Sequence, residues 1–313
     1  MNYCTFFDRS YLNFGLNLYE SLKKNCSNFK LFIIAFDNYT LSFLKTKKLK
    51  NVYLINYKKI LTQRLVEIKE ERKKNEFFWT CTPFGINYIL KKFKLNNITY
   101  LDADIFFYNN PNKILKKYKN YSVLMTKHNF HFDYKYLEKL TGKYCVQFLT
   151  FQNNKDGLLA LDWWKKKCEE WCYDRFENGK FGDQKYLEEF PKRFKNVKVI
   201  ENDGVGIAPW NIKNYKVTNN KIYKTKKNIK IDIIFYHFHY LRQITKNIFF
   251  IGGWPIDNNI KNLIYFPYIN KIIQNNKIIK KQKENLFRLC IKYVFEILRY
   301  FKYKKNYLKI DNV

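Results

Sequence analysis

NNITYLDADIFFYNNP, residues 96–111, sets two aspartates into an otherwise apolar run of a strongly basic chain. The apolar part reads as a buried strand, and the aspartates fall towards its end. In extended backbone, residues i and i+2 point to the same side. Asp102 and Asp104 would then converge on one point, with Ala103 facing away. Open parallel sheets bind ligands beyond the carboxyl ends of their strands. Two carboxylates held together there are costly unless a cation sits between them. A hard divalent ion with oxygen ligands, Mn²⁺ or Mg²⁺, fits, and such ions keep positions open for phosphate oxygens. The plainer alternative is a strand-end turn in which Asp104 makes a local backbone hydrogen bond. Spacing alone favours that turn.

The surrounding sequence alternates strand and helix patterns. Residues 2–7 read as a strand. Leu12, Leu16, Tyr19 and Leu22 then recur at helical spacing, with Ser10 as an N-cap. KLFIIAF (30–36) is apolar throughout after Lys30, as a sheet covered on both faces requires. A helix over 39–49, the strand NVYLIN (51–56), a charged helix-favouring stretch over 57–76 and a helix starting at Pro83 follow. This alternation predicts an α/β fold with a mixed, mainly parallel sheet and helices on both faces. Further on, YSVLMT, VQFLTFQ, NVKVIE and IDIIFYHFH read as strands. KDGLLALDWWKKKCEEWCYDRF (155–176) reads as one amphipathic helix with Trp163, Trp164 and Trp171 in the core. NDGVGIAPWN (202–211) reads as a turn or binding loop.

The chain has 313 residues and a net charge of +32, with 19% aromatic residues. That length can bury a large core without staples. A field so positive draws polyanions: nucleic acid, anionic lipid or phosphorylated substrates. No nucleic-acid-binding motif is present. The seven cysteines are irregularly spaced, which suits reduced thiols in a reducing compartment. MNYCTFFDRSYL lacks the features of a signal peptide. No run reaches the ~18 apolar residues of a spanning helix. The sequence therefore predicts a cytoplasmic protein, soluble or peripheral on the inner face of the membrane.

Composition shifts near residue 270, which divides the chain into a catalytic domain over 1–268 and a basic amphipathic helical tail over 269–313. Leu286, Leu289, Cys290, Tyr293, Val294, Ile297 and Phe301 share one helical face. Residues 270–313 hold 12 Lys/Arg against 3 Asp/Glu, a net of +9. Such a helix either lies on an anionic membrane surface or packs on the domain with a solvated lysine face.

Several segments carry a resemblance. YLDADIFFYNNP resembles the Asp-x-Asp segment of nucleotide-sugar glycosyltransferases with the GT-A fold, most of all family 8 and related bacterial surface-polysaccharide enzymes. YCTFFDRSYLNFGLNLYESL is similar to the family's opening strand and helix. KFGDQKYLEEF resembles its Asp-Gln segment, GIAPWN its loop ending in Trp-Asn, and FYHFHYLR the late strand that gives a histidine to the metal. Together they span roughly residues 1–245. The resemblance implies transfer of a sugar from a nucleoside-diphosphate sugar, such as a UDP-sugar, to a glycan or lipid-linked acceptor in surface-polysaccharide synthesis, with retained configuration. It implies Asp102, Asp104 and His237 as ligands of Mn²⁺ or Mg²⁺, with His239 as the alternate. Imidazole makes Mn²⁺ the first choice. It places Thr5, Asp8, Tyr11 and Asp102 at the nucleotide, Asp183 and Gln184 in catalysis, and Ala103, Gln147, Trp210 and Asn211 at the sugar or acceptor; Arg242, which lies where the family's own segment is missing, is read as a phosphate clamp. The chain departs from the pattern at Cys145-Val146-Gln147, where the family has Asn-x-Gly, and at HYLRQ, which replaces its Lys-Pro-Trp segment.

Each residue also has a plainer reading. Asp183 after Gly182 suits an N-cap. His237 suits a satisfied core histidine. Trp210 suits packing. Two rival functions are a sugar nucleotidyltransferase, whose Gly-rich N-terminal loop is missing, and a charge-driven nucleic-acid binder.

Overall fold

The computed structural model describes residues 1–279 and 286–310, without the side chains of 286–294. The chain forms two compact units, Met1–Ile207 with Asp232–His237, and Ala208–Ile231 with Phe238–Val313.

The strands of the first stretch are β1 (Asn2–Phe7), β2 (Lys30–Ala35), β3 (Val52–Asn56), β4 (Asn97–Leu101), β5 (Ile105–Phe107), β6 (Val123–Lys127), β7 (Tyr144–Gln152) and β8 (Val197–Val199). Seven of them make one sheet in the order β3-β2-β1-β4-β7-β6-β8. Every neighbouring pair is parallel except β4–β7 and β7–β6, so β7 alone runs backwards. The expected mixed, mainly parallel sheet is present.

Both faces of this sheet are covered. Phe6 and Phe7, adjacent in β1, point to opposite sides. A Cβ built on Gly85 of the helix Lys74–Lys92 would fall 2.5 Å from the Phe6 ring. One built on Gly15 of the helix Leu12–Asn25 would fall 2.3 Å from the Phe7 ring. Glycine lets each helix press directly onto an aromatic ring. That explains why β1 and β2 are apolar on both faces.

Some boundaries differ from the sequence reading. The helix expected from Pro83 begins at Lys74, where the Glu76 carboxylate reaches back to accept from the Lys73 N–H at 2.8 Å. Pro83 therefore lies inside it. The charged stretch before it breaks into a 3-10 turn, Tyr57–Ile60, and a helix, Gln63–Glu71. Asp8, not Ser10, caps the opening turn. The long helix stops at Glu170, because Trp171 is extended. NITYLDADIFF is not one strand: it turns after Leu101, and β5 leaves the main sheet.

Later strands are β9 (Tyr215–Thr218), β10 (Lys221–Lys224), β11 (Ile229–Lys230), β12 (Phe235–His237), β13 (Leu241–Gln243), β14 (Ile248–Ile251) and β15 (Tyr307–Lys309). β12 belongs to the first unit and pairs with β5. The second unit contains the antiparallel sheets β11-β10-β9 and β13-β14-β15. Asn219 and Asn220 join β9 to β10 with φ of 50° and 55°. Both lie in the left-handed region that a tight two-residue hairpin demands.

The helix Leu286–Tyr303 leads into β15. Over its described side chains, from Phe295 on, the packing inverts the usual arrangement. Glu296 is buried, and its carboxylate meets Arg299, Arg242 at 3.5 Å and the Tyr307 hydroxyl at 3.0 Å. Phe295, Ile297, Leu298 and Phe301 are 61, 55, 63 and 79% exposed. The expected shared face is described here only at Ile297 and Phe301; the side chains of Leu286, Leu289, Cys290, Tyr293 and Val294 lie outside the described residues. No described helix is long and apolar enough to cross a membrane. The six described cysteines are free and buried.

Candidate active site

Asp102 directly follows β4, at its carboxyl end, and Asp8 directly follows β1. The strand order turns at this pair, with β2 and β3 on one side and β7, β6 and β8 on the other. Such a switch point opens a crevice for ligands.

Asp102, Ala103 and Asp104 form a turn rather than continuing the strand. The Ile105 N–H donates to the Asp102 carbonyl at 3.3 Å, and the Asp102 N–H donates to the Gln147 carbonyl of β7 at 3.1 Å. The two carboxylates thus converge through a turn, not through strand alternation. Ala103 is buried within it.

The third member arrives by strand pairing. β12 runs antiparallel to β5 with His237 opposite Ile105, the residue after Asp104. His237 Nε2 lies 3.0 Å from Asp104 Oδ1 and 3.8 Å from Asp102 Oδ2. The Tyr100 hydroxyl donates to Asp102 Oδ1 at 2.9 Å. Asp104 and His237 are sequestered, with side chains 9 and 5% exposed, while the Asp102 side chain keeps 28%. Asp102 is therefore the member open to an arriving ligand.

The charges are tightly coupled. Burial among its neighbours pushes the Asp102 carboxyl up to about 6, with the Asp104 charge adding to it; His237 and the Tyr100 hydroxyl pull the other way. For His237, burial opposes the charged form, but the Asp104 carboxylate, with Cys145 and the Asp102 charge, outweighs it and raises the imidazole well above its usual value. Two carboxylates and one imidazole form a mixed oxygen and nitrogen donor set. It suits Mn²⁺ and accepts Mg²⁺. The residues present fit the cation that the resemblance implies.

Asp183 and Gln184 lie near this group. Burial raises the Asp183 carboxyl well above the usual range, and the Asp102 charge raises it further; the N–H groups of Asp183 and Gln184 oppose both. Trp164 fixes the segment by donating its indole N–H to the Asp183 carbonyl at 2.8 Å. The following 3-10 turn, Lys185–Glu189, has no side-chain cap, so Asp183 does not act as one. Gln184 commits its amide N–H to the Thr141 carbonyl at 2.8 Å. Gln147 is fully buried, with Oε1 2.8 Å from His237 Nδ1.

At the N-terminal corner, Thr5 is fully buried and its hydroxyl has no partner among the described residues. Asp8 accepts from the Ser10 N–H at 2.9 Å and pairs with Lys74. Tyr11 is 45% exposed. Sequence reasoning missed three neighbours. Asp37 accepts from the Arg9 N–H at 2.6 Å, and the Arg9 guanidinium lies 3.6 Å over the Tyr39 ring. Their signal was available: Asp37 follows apolar β2 much as Asp8 follows β1. Tyr100 was missed too, although it stands two residues before Asp102.

The remaining candidates lie in the second unit. Trp210 is buried, its ring edge-on to His239 at 5.3 Å. Asn211 Oδ1 accepts from the Ala208 N–H at 2.9 Å. Arg242 is engaged with Glu296 and lies over the Phe250 ring.

No protein-family model matches the chain. It is 31% identical over 255 residues to YfnF of Bacillus subtilis (strain 168), covering 78% of this chain and 83% of YfnF. The chain belongs to the YfnF family. A second Bacillus subtilis protein, YfnD, is 26% identical to this YfnF-family chain over 275 residues, covering 86% of this chain and 87% of YfnD. Both relatives are described as uncharacterized. The YfnF-family chain is also similar to the crystal structure of the galactosyltransferase LgtC in complex with donor and acceptor sugar analogues. The TM-score is 0.53 at 9% identity, over 90% of this chain and 98% of LgtC. A second LgtC structure, of an active-site mutant, matches with a TM-score of 0.51. A likeness at such identity is one of fold: the YfnF-family chain has the GT-A fold.

Proposed function

We propose that the chain is a metal-dependent glycosyltransferase. It takes a sugar from a nucleoside-diphosphate sugar, in the first place a UDP-sugar, and passes it to a glycan or lipid-linked acceptor of surface-polysaccharide synthesis. One observation carries this reading: the turn of Asp102 and Asp104 meets His237 at the carboxyl edge of β1 and β4, in a fold shared with a galactosyltransferase. The proposal rests on the first unit and needs no residue of the second.

Asp102, Asp104 and His237 would hold the cation. When bound, Mn²⁺ would supply the positive charge that stabilises the departing nucleoside diphosphate. The chain's own residues do the rest. Thr5, Asp8 and Tyr11 line the path to the base and ribose. Asp104 and His237, both buried, keep the donor set fixed and dry. Asp183 lies within electrostatic reach of Asp102. Its carboxylate would face the positive charge that develops on the sugar, as a carboxylate does in glycoside hydrolysis. Retention of anomeric configuration follows from the family 8 resemblance.

UDP with Mn²⁺ at a hundredfold over its dissociation constant should stabilise the chain by about 2.7 kcal/mol in thermal unfolding. UDP without the ion should leave the transition unmoved. Indifference to both UDP and GDP in Mn²⁺ buffer would sink the reading.

The second unit supports a peripheral place on the inner membrane face. Its last helix exposes Phe295, Ile297, Leu298 and Phe301 beside Lys302, within a segment of net charge +9. Apolar side chains next to basic ones suit the headgroup boundary of an anionic leaflet. The chain should float with vesicles of 30% phosphatidylglycerol and not with neutral ones. The double variant Leu298→Glu and Phe301→Glu should bind at least tenfold less. Equal flotation of that variant would argue against this placement.

A further inference from the structure

We propose that Gln147 is a positioning residue that fixes which nitrogen of His237 faces the cation. This rests on the metal reading above and adds a residue to it.

The strand YCVQFLTFQ places one amide in a run whose residues are buried from Tyr144 to Phe151. Gln147 is fully buried. A buried amide is costly unless both ends find partners. Both do, in an order that can be traced. The Thr126 hydroxyl donates to the Cys145 carbonyl at 3.3 Å. With its proton spent there, its oxygen is left to accept, and Gln147 Nε2 approaches it at 3.4 Å. That orients the amide and turns Oε1 to His237 Nδ1 at 2.8 Å. An amide oxygen only accepts, so Nδ1 must carry the proton. Nε2 is then the nitrogen presented to Asp104 and Asp102. A backbone carbonyl thus sets the histidine tautomer through two side chains, as partners of ligating histidines commonly do.

The neighbourhood is shaped for this side chain. A Cβ built on Gly206 would fall 2.8 Å from Gln147 Nε2. The reversed direction of β7 brings the start of that strand to the edge where β4 ends. The resemblance predicts Asn-x-Gly at Cys145-Val146-Gln147, and a glycine cannot make this bond. The device is therefore a departure from the pattern the resemblance predicts.

The test is Mn²⁺ binding by the full chain, read by calorimetry and by the EPR signal of free Mn²⁺, with circular dichroism to verify folding. Gln147→Leu should weaken Mn²⁺ binding roughly 10- to 100-fold. Gln147→Glu keeps the acceptor and should bind within about threefold of wild type, or more tightly. A folded Gln147→Leu chain with wild-type affinity would overturn the proposal. If that variant does not fold, Gln147→Glu decides: preserved affinity supports the role, and a tenfold loss overturns it. Failure of the wild-type chain to bind Mn²⁺, with or without UDP, would overturn the metal reading together with this one. Wild-type binding that ignores Gln147→Leu removes only this one.

Discussion

Asp104→Ala should lower sugar transfer on the order of 10³-fold while leaving the circular dichroism spectrum unchanged, and Asp102→Ala should do nearly the same. Cation assistance to a leaving diphosphate is worth several kcal/mol, and each 1.36 kcal/mol is tenfold in rate. Asp104 is the more sequestered carboxylate and the nearer to His237, at 3.0 Å. In the proposed mechanism its loss removes one ligand, and it also removes the charge that raises the imidazole. Asp102 lies at 3.8 Å from the same nitrogen and is more open. Its loss should show first as weaker Mn²⁺ binding. UDP release from a panel of UDP-sugars, at saturating Mn²⁺, reads both. Turnover within tenfold of wild type in both variants would remove the aspartates from the mechanism.

Trp164→Ala should cost about 3–5 kcal/mol of stability, the largest effect expected from any single core truncation here. Trp164 is fully buried. Its ring stacks on Phe151 of β7 at 6.0 Å and meets Phe190 edge-on at 6.5 Å. Its indole N–H is also the donor to the Asp183 carbonyl. Trp164→Phe keeps most of the apolar volume but leaves that carbonyl without its donor, at a cost of about 1–3 kcal/mol. Urea unfolding separates the two variants. A loss below about 1 kcal/mol for Trp164→Ala would mean that the indole does not anchor this part of the core.

Much of the first unit was legible because its signals are local. Unbroken apolar runs such as LFIIA (31–35) can only be central, and helical spacing marked the layers between them. Asp102, Asp104 and His237 were legible as a set through resemblance alone. Nothing in their spacing joins a turn to a histidine so far along the chain. What joins them is the register of β5 with β12, a long-range pairing that no local pattern encodes. The strand-alternation argument for the aspartates gave the correct convergence for the wrong geometry, since Ala103 sits in a turn. The Asn219-Asn220 hairpin was missed although two asparagines between alternating residues are a turn signal. The role of Gln147 was hidden for a different reason. A buried amide in a mostly apolar strand announces a partner but not which one. Here the partner comes from β12, and the amide's direction is set by Thr126 of β6. The burial of Glu296 could not be read either, because two of the groups it meets, Arg242 and the Tyr307 hydroxyl, come from outside its helix.

The pairing of β5 with β12 also has a consequence in time. Some 133 residues of synthesis separate Asp104 from His237. At ~5–20 residues per second, the ribosome needs roughly 7 to 27 seconds to supply the histidine after the aspartates have emerged. A nascent chain can settle β1 to β4 in that interval with its carboxylates still lacking their third companion. On the metal reading proposed above, capture of the ion should therefore be an act of the finished protein, and stalled or truncated translation products should be blind to manganese.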